Sequence, residues 1–265
     1  MTNSPTRIMV VGAHPADPFE RAGGAIANHL GRGDQVMAVS LTTGVVTHAF
    51  GLFPTTGDDK LRDVERFKDE KRKEFERAAK VLGLTAWRLF DLPESPLLYD
   101  MEEYKLLVDL VREFRPDVVL CAHPVEVGRF DHMDSGSFTL RAIDYARADG
   151  FPSSRAPHAV PNIYMSYYQD FRSEQLMGTA RHAPDVIVDT TEVIDIKREA
   201  MAQFGATQAK VGEDYPERLK RFLERVDGAV GYTYGLGQGR GYGEQFTRWN
   251  PARGPFLPLA EEAAR

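Results

Sequence analysis

His14 and Asp17 stand three residues apart in "VGAHPADPFERAGGAIA" (11–27), where the first apolar run of the chain ends. Imidazole and carboxylate are both metal-ligand types, and the spacing H-x-x-D lets two donors from one turn approach the same ion. A catalytic zinc takes about three N/O ligands and keeps one position open. The third donor is available in "AHPVEVGRFDHMD" (122–134), which carries His123, Glu126, Arg129, Asp131, His132 and Asp134. His132 is the expected ligand, and Asp131 the expected outer partner that holds an imidazole or touches a bound water. A third stretch, "TTGVVTHAFG" (42–51), adds His48, a natural acid or base near neutral pH. The competing reading is that these are loop residues capping helices, with Asp17 an N-cap and Pro18 at the first helical position.

Each of these stretches follows a segment that reads as a strand. "RIMVVGA" (7–13), "QVMAVSLTTG" (35–44), "AWRLFDL" (86–92) and "DVVLCA" (117–122) are short apolar, β-branched runs. Between them lie helical patterns at 18–33, 61–83 and 101–114, and another follows at about 134–148. Strand alternating with helix specifies βαβ units and a mostly parallel sheet covered on both faces. The expected fold is therefore α/β, a Rossmann-like three-layer sandwich. A C-terminal extension adds strands at 162–168 and 185–191 and helices over 194–209 and 216–227. Right-handed crossovers put the strand C-termini on one edge, where such sheets bind ligands. Four of the seven histidines (His14, His48, His123 and His132) fall on loops at that edge. No repeat, linker or low-complexity segment interrupts residues 1–265, so a single domain is expected.

Composition narrows the classes. The chain has 265 residues, a net charge of −6, 42% hydrophobic and 27% charged residues. That balance argues against nucleic acid as a partner. No apolar run is long enough to cross a membrane and no signal peptide opens the chain, so a cytoplasmic protein without a membrane partner is expected. A homo-oligomer is left open. The lone cysteine, Cys121, sits in an apolar strand as a small buried hydrophobe. The glycines of "GYTYGLGQGRGYG" (231–243) follow a helix and open no apolar helix, so they are not a dinucleotide fingerprint. They suit a loop closing over the site, with Arg240 and Tyr242 as substrate contacts.

"AHPADPFERAGGAIANHLGRGDQVMAVSLTTG", "RKEFERAAKVLG", "RPDVVLCAHPVEVGRFDH" and "GYGEQFTR" together resemble the PIG-L/LmbE-like family of zinc-dependent de-N-acetylases across most of the chain. The resemblance implies that His14, Asp17 and His132 hold the metal. It also exposes departures. The aspartate that serves the deacetylases as general base is Ala16 here, the following glutamate is Pro18, and the oxyanion-stabilising histidine is Arg129. A positioned general base is worth on the order of 10²–10⁴ in rate. A chain that keeps the ligands and lacks that base resembles the hydratase branch of the family, which acts on 4-oxalomesaconate and shares "A-H-x-A-D" and "R-A-G-G-A-I-A".

The resemblance thus implies a zinc-dependent hydro-lyase adding water to an unsaturated, carboxylated intermediate of aromatic-acid catabolism. The alternatives are a zinc-dependent deacetylase of an N-acetylated small molecule and a ligand-binding relative without turnover. Iron, cobalt or manganese also suit an N/O donor set. The substrate is a small anion. Arg129, Arg72 and Arg240 are the expected carboxylate clamps, although Arg72 lies in a charge-dense helix whose default is a solvated face. His48 is the first candidate for proton transfer, followed by Asp131 and Glu126. Tyr242, Glu126 and His123 are expected to line the pocket, as are Tyr168 and Gln169. His29, His158 and His182 carry no expected role.

Overall fold

The computed structural model describes residues 4–48, 57–94, 99–126, 129–166, 184–208 and 213–249. Tyr168, Gln169 and His182 lie outside the described residues.

The strands are β1 (Arg7–Gly12), β2 (Gln35–Ser40), β3 (Ala86–Leu89), β4 (Val118–Ala122), β5 (Asn162–Ser166), β6 (Val186–Asp189) and β7 (Gly243–Arg248). The helices are α1 (Asp17–Arg32), α2 (Val45–His48), α3 (Gly57–Leu82), α4 (Met101–Phe114), α5 (Phe130–Arg147), α6 (Ile194–Ala202), α7 (Gly205–Gln208) and α8 (Tyr215–Thr233). They build one seven-stranded sheet in the order β3-β2-β1-β4-β5-β7-β6. β1 to β5 pair in parallel, and β7 runs antiparallel to both β5 and β6.

Alternation along β1 explains the layers. Ile8 and Val10 pack into a core with Phe19 and Ala22 of α1, Phe75 of α3, Met201 of α6 and Leu223 of α8. Met9 and Val11 face the opposite core, with Leu107 and Val111 of α4 and Phe138 of α5. A strand covered on both faces reads as a continuous apolar run, which is why "IMVV" shows no polar alternation. The sheet order reverses between β1 and β4, the switch point where α/β folds place ligands.

Several boundaries differ from the pattern-based reading. β2 stops at Ser40, because Gly44 turns the chain at φ +73° and residues 45–48 coil into α2. The helix expected over 194–209 breaks after Ala202 into α6 and α7. α5 starts at Phe130, so Asp131 and His132 sit in its first turn. β7 was not expected at all: its glycine-rich approach reads as loop, and its six residues mix charge with a single aromatic. No helix among the described residues is long and apolar enough to cross a membrane.

α1 is bent. Ala22 leaves the helical region at φ −141°. The amides of Gly24 and Ala25 then donate to the Glu244 carboxylate of β7, each at 2.8 Å. That carboxylate caps the second part of the helix as an N-terminal acid does.

Candidate active site

The end of β1 folds tightly onto α1. A Cβ at Gly12 would lie 2.6 Å from both Asp17 Cβ and Pro18 Cδ, so only glycine lets the first turn of the helix close over the strand end. Ala16 is the residue before the helix and offers no side-chain cap. Asp17 is therefore inside α1, and its Oδ2 turns back to accept the His14 amide at 2.8 Å. This replaces the N-cap expectation for Asp17.

His14, Asp17 and His132 are all buried. Asp17 Oδ2 lies 3.5 Å from His14 Nδ1 and 3.6 Å from His132 Nε2. On the other side of the His14 ring, Nε2 meets Asp131 Oδ2 at 2.9 Å and the Thr47 hydroxyl at 3.0 Å. His14, Asp131 and His132 also each offer a donor atom within 4.8 Å of one another.

Two carboxylates thus flank one imidazole, and the distances separate their roles. Asp131 is at hydrogen-bond distance from Nε2. Asp17 stands off Nδ1, a buried nitrogen with no hydrogen-bond partner among the described residues. Bonds of about 2.0–2.2 Å in a tetrahedron set neighbouring N and O donors about 3.3–3.5 Å apart. The Asp17 separations match that spacing, so Asp17 Oδ2 can share a small divalent cation with His14 Nδ1 and with His132 Nε2. Asp131 suits the outer carboxylate that receives the other ring N–H.

The charges of the cluster suit a cation. Burial works against charge at His14, but Asp17 and Asp131 outweigh it and raise the imidazole to about 9. Burial likewise opposes ionisation of Asp17, yet His132, His14 and Arg21 hold it well below the usual carboxylate range. Asp131 is held to about 2 against its burial, chiefly by its hydrogen bond to His14.

His48 is brought into the cluster. Its ring lies edge-on to His14 with centroids 4.4 Å apart. A Cβ at Gly44 would come 2.7 Å from His48 Nδ1, so the glycine's turn and its missing side chain make room for the ring. Burial, with His14 and Lys71 nearby, lowers His48 to about 3 and keeps the imidazole neutral.

Behind His132 sits Arg21, a residue that pattern reading passed over. Its buried guanidinium donates to Glu126 at 3.0–3.1 Å and to the Ser166 carbonyl at 3.2 Å. It also approaches His132 Nδ1 at 2.5 Å. Glu126, expected to touch substrate, is instead committed to Arg21, with Arg129 Nε at 3.4 Å and His132 Nδ1 at 3.5 Å. An arginine inside "FERAGG", a helix start that is otherwise small and apolar, was the available signal.

Other expected residues are placed elsewhere. Arg72 lies on the outer face of α3, paired with Asp69 at 3.0 Å and Asp91 at 3.6 Å. Its neighbour Lys71 points inward instead, buried without a hydrogen-bond partner among the described residues. The Lys71 ammonium lies 3.6 Å from Glu74 and 5.5 Å from the Phe67 and Phe204 ring centres. Arg240 and Tyr242 sit in the turn before β7, tied to Gly237, Thr190 and Thr191. Among the described residues, none of their hydrogen bonds reaches the His14–His132 cluster. His123 accepts the Val125 amide at 3.0 Å and shapes its own turn. Arg129 precedes α5, partly exposed beside Glu126. His158 bonds the Pro116 carbonyl and His29 pairs with Asp34, both structural roles. Cys121 is buried, as expected, and its thiol is pushed up to about 12 by burial.

The chain is 29% identical over 214 residues to the 4-oxalmesaconate hydratase of Pseudomonas putida KT2440, covering 80% of this chain and 78% of that one. It is 28% identical over 189 residues to a 1D-myo-inositol 2-acetamido-2-deoxy-alpha-D-glucopyranoside deacetylase of Catenulispora acidiphila, covering 61% and 60%. Among solved structures, the 4-carboxy-2-hydroxymuconate hydratase of P. putida KT2440 superposes with a TM-score of 0.75 at 25% identity, covering 96% of this chain and 100% of that one. The N,N'-diacetylchitobiose deacetylase of Pyrococcus horikoshii shares the fold, with a TM-score of 0.70 at 20% identity over 92% and 83%. The family model described as GlcNAc-PI de-N-acetylase matches residues 9–143, just over half the chain, from within β1 through most of α5. The chain therefore belongs to the PIG-L family.

Proposed function

We propose that the chain is a metal-dependent hydratase that adds water to an unsaturated, multiply carboxylated keto- or enol-acid. The observation that carries this reading is Ala16. It is 4% exposed and sits beside the ligand triplet, where amide hydrolysis needs a carboxylate to take a proton from water. The matches to a 4-oxalmesaconate hydratase and to the fold of a 4-carboxy-2-hydroxymuconate hydratase support the same substrate class.

His14, Asp17 and His132 hold the cation, for which zinc suits the two imidazoles and one carboxylate. The ion supplies Lewis acidity toward a substrate carbonyl or carboxylate. Asp131 fixes the His14 ring from behind. His48, neutral and in contact with that ring, moves the proton. Arg129, at the open end of α5, binds a substrate carboxylate, and its planar fork suits a bidentate pair.

The assay is loss of conjugated ultraviolet absorbance when zinc-loaded protein meets 4-carboxy-2-hydroxymuconate. The expected result is rapid, chelator-sensitive loss with a hydrated product. Absence of loss with metal bound removes this substrate. The deacetylase reading rests on the second relative, and release of acetate from an N-acetylglucosaminyl inositol would favour it.

A further inference from the structure

Glu94 lies beyond β3, in a segment with no catalytic pattern of its own. Its carboxylate nevertheless collects every free amide of α2. Oε1 accepts from Val45 N–H at 2.8 Å, and Oε2 from Val46 at 3.0 Å and Thr47 at 3.3 Å. Oε2 also stands 3.3 Å from the Thr47 hydroxyl, which in turn is 3.0 Å from His14 Nε2.

The direction of these bonds follows from what each group can do. A carboxylate only accepts, so the single Thr47 hydroxyl proton goes to Glu94. Toward His14, the Thr47 oxygen is then left as an acceptor. Asp131, on the same nitrogen, is an acceptor too. Nε2 must therefore keep its hydrogen, and Nδ1, which faces Asp17, is the nitrogen that gives up its proton to a cation. Without Glu94, the Thr47 hydroxyl is free to turn its proton toward Nε2, where it competes with Asp131 and loosens the ring orientation that presents Nδ1 to Asp17.

We infer that Glu94 is a positioning residue of the metal centre: through Thr47 it holds the His14 ring with Nδ1 toward Asp17, and through α2 it sets the His48 ring against His14. The inference rests on the metal-ligand reading above and not on the identity of the reaction. Outer partners of this kind are worth about 10–100-fold in metal affinity.

The test is zinc titration of the full chain against a competing chromophoric chelator, for wild type, Glu94→Gln, Thr47→Val and Thr47→Ser. Glu94→Gln and Thr47→Val are each expected to weaken zinc by about 10–100-fold, while Thr47→Ser, which keeps the hydroxyl, restores wild-type affinity. Thr47→Val changes one atom's chemistry and little volume, so it reads the relay even where Glu94→Gln disturbs the loop. Wild-type affinity in Glu94→Gln and Thr47→Val overturns the inference alone. A Thr47→Ser variant as weak as Thr47→Val overturns it too, because packing and not the hydroxyl is then responsible. A wild-type chain that binds no zinc overturns this inference and the metal reading together.

Discussion

Two buried charged clusters touch α1, one at its first turn and one at its middle. At the middle, the Lys197 ammonium donates to Asp227 at 2.5 Å and Glu244 at 2.8 Å, and Glu244 caps two helix amides with its remaining capacity. At the first turn, His14, Asp17 and His132 stand 3.5–3.6 Å apart around Asp17 Oδ2, and one buried nitrogen lacks a partner. Both clusters are buried and both shift pKa values. What separates them is saturation: the Lys197 ammonium is held by two carboxylates, whereas the His14 set leaves the buried Nδ1 without a hydrogen-bond partner among the described residues. Perturbed titration alone marks either kind of site. A buried donor without a partner, beside a second imidazole and a carboxylate, is what singles out the first turn as the candidate site.

The comparison breaks most visibly if the first-turn cluster is not a metal site. His14→Ala and Asp17→Ala are expected to remove the bound zinc, measured by elemental analysis, and to lower hydration by at least about 10³-fold while the fold persists in circular dichroism. In the saturated cluster the same kind of change acts on stability. Lys197→Met leaves two buried carboxylates sharing no cation, and denaturant unfolding is expected to show a loss of about 3–5 kcal/mol. Its zinc stoichiometry is expected to stay at the wild-type value.

Rotating His48 away is the next largest effect. Gly44→Ala places a methyl group against the His48 ring at a positive φ. Turnover is expected to fall by about 10²-fold, the low end for a proton-transfer group, with zinc affinity unchanged.

Proton competition sharpens the contrast further. His14 is raised from 6.5 to about 9, so on the proposed reading zinc has to displace a proton from it at neutral pH. Measured affinity is expected to fall by about tenfold per unit as pH drops below 9. Metal-free stability runs the other way. The pairing of His14 with Asp17 and Asp131 contributes fully below pH 6.5 and is lost as pH rises through 9. At the other cluster, burial raises Asp227 from 3.8 to about 6, even with Lys197 opposing it and Glu244 adding to it. Its contribution to stability is therefore present at low pH and declines as pH rises through 6. Asp227→Asn is expected to flatten that decline in unfolding midpoints measured between pH 4 and 8.

How much of this is legible in the sequence depends on the range of the interactions involved. The parallel strands are visible because β1, β2 and β4 are covered on both faces, and the apolar runs record it. The gathering of His14, Asp17 and His132, the proposed ligands, is visible because they sit at strand ends, where the topology brings them together. Glu94, Thr47 and Arg21 are not visible in this way. Each acts through partners at least 33 residues away, and a polar residue in a loop or on a helix carries no local pattern that names its partner. Arg72 shows the opposite error. One helical step of about 100° separates it from Lys71, so choosing the wrong neighbour turns an interior cation into a surface one. β7 escaped because its pairing depends on β5 and β6, not on alternation within its own six residues.

β7 also carries a temporal consequence. It lies between β5 and β6, so among the described residues β6 pairs with no other strand. During synthesis the first five strands can add to the sheet as they emerge, but residues 186–189 must wait for residues 243–248. The same late strand delivers Glu244 to the bend of α1, the helix that carries Asp17 and Arg21. The first motif in the chain thus reaches its final setting only when nearly the last described residues have left the ribosome, and a truncation before β7 leaves both an unpaired strand and an uncapped helix for chaperones to recognise.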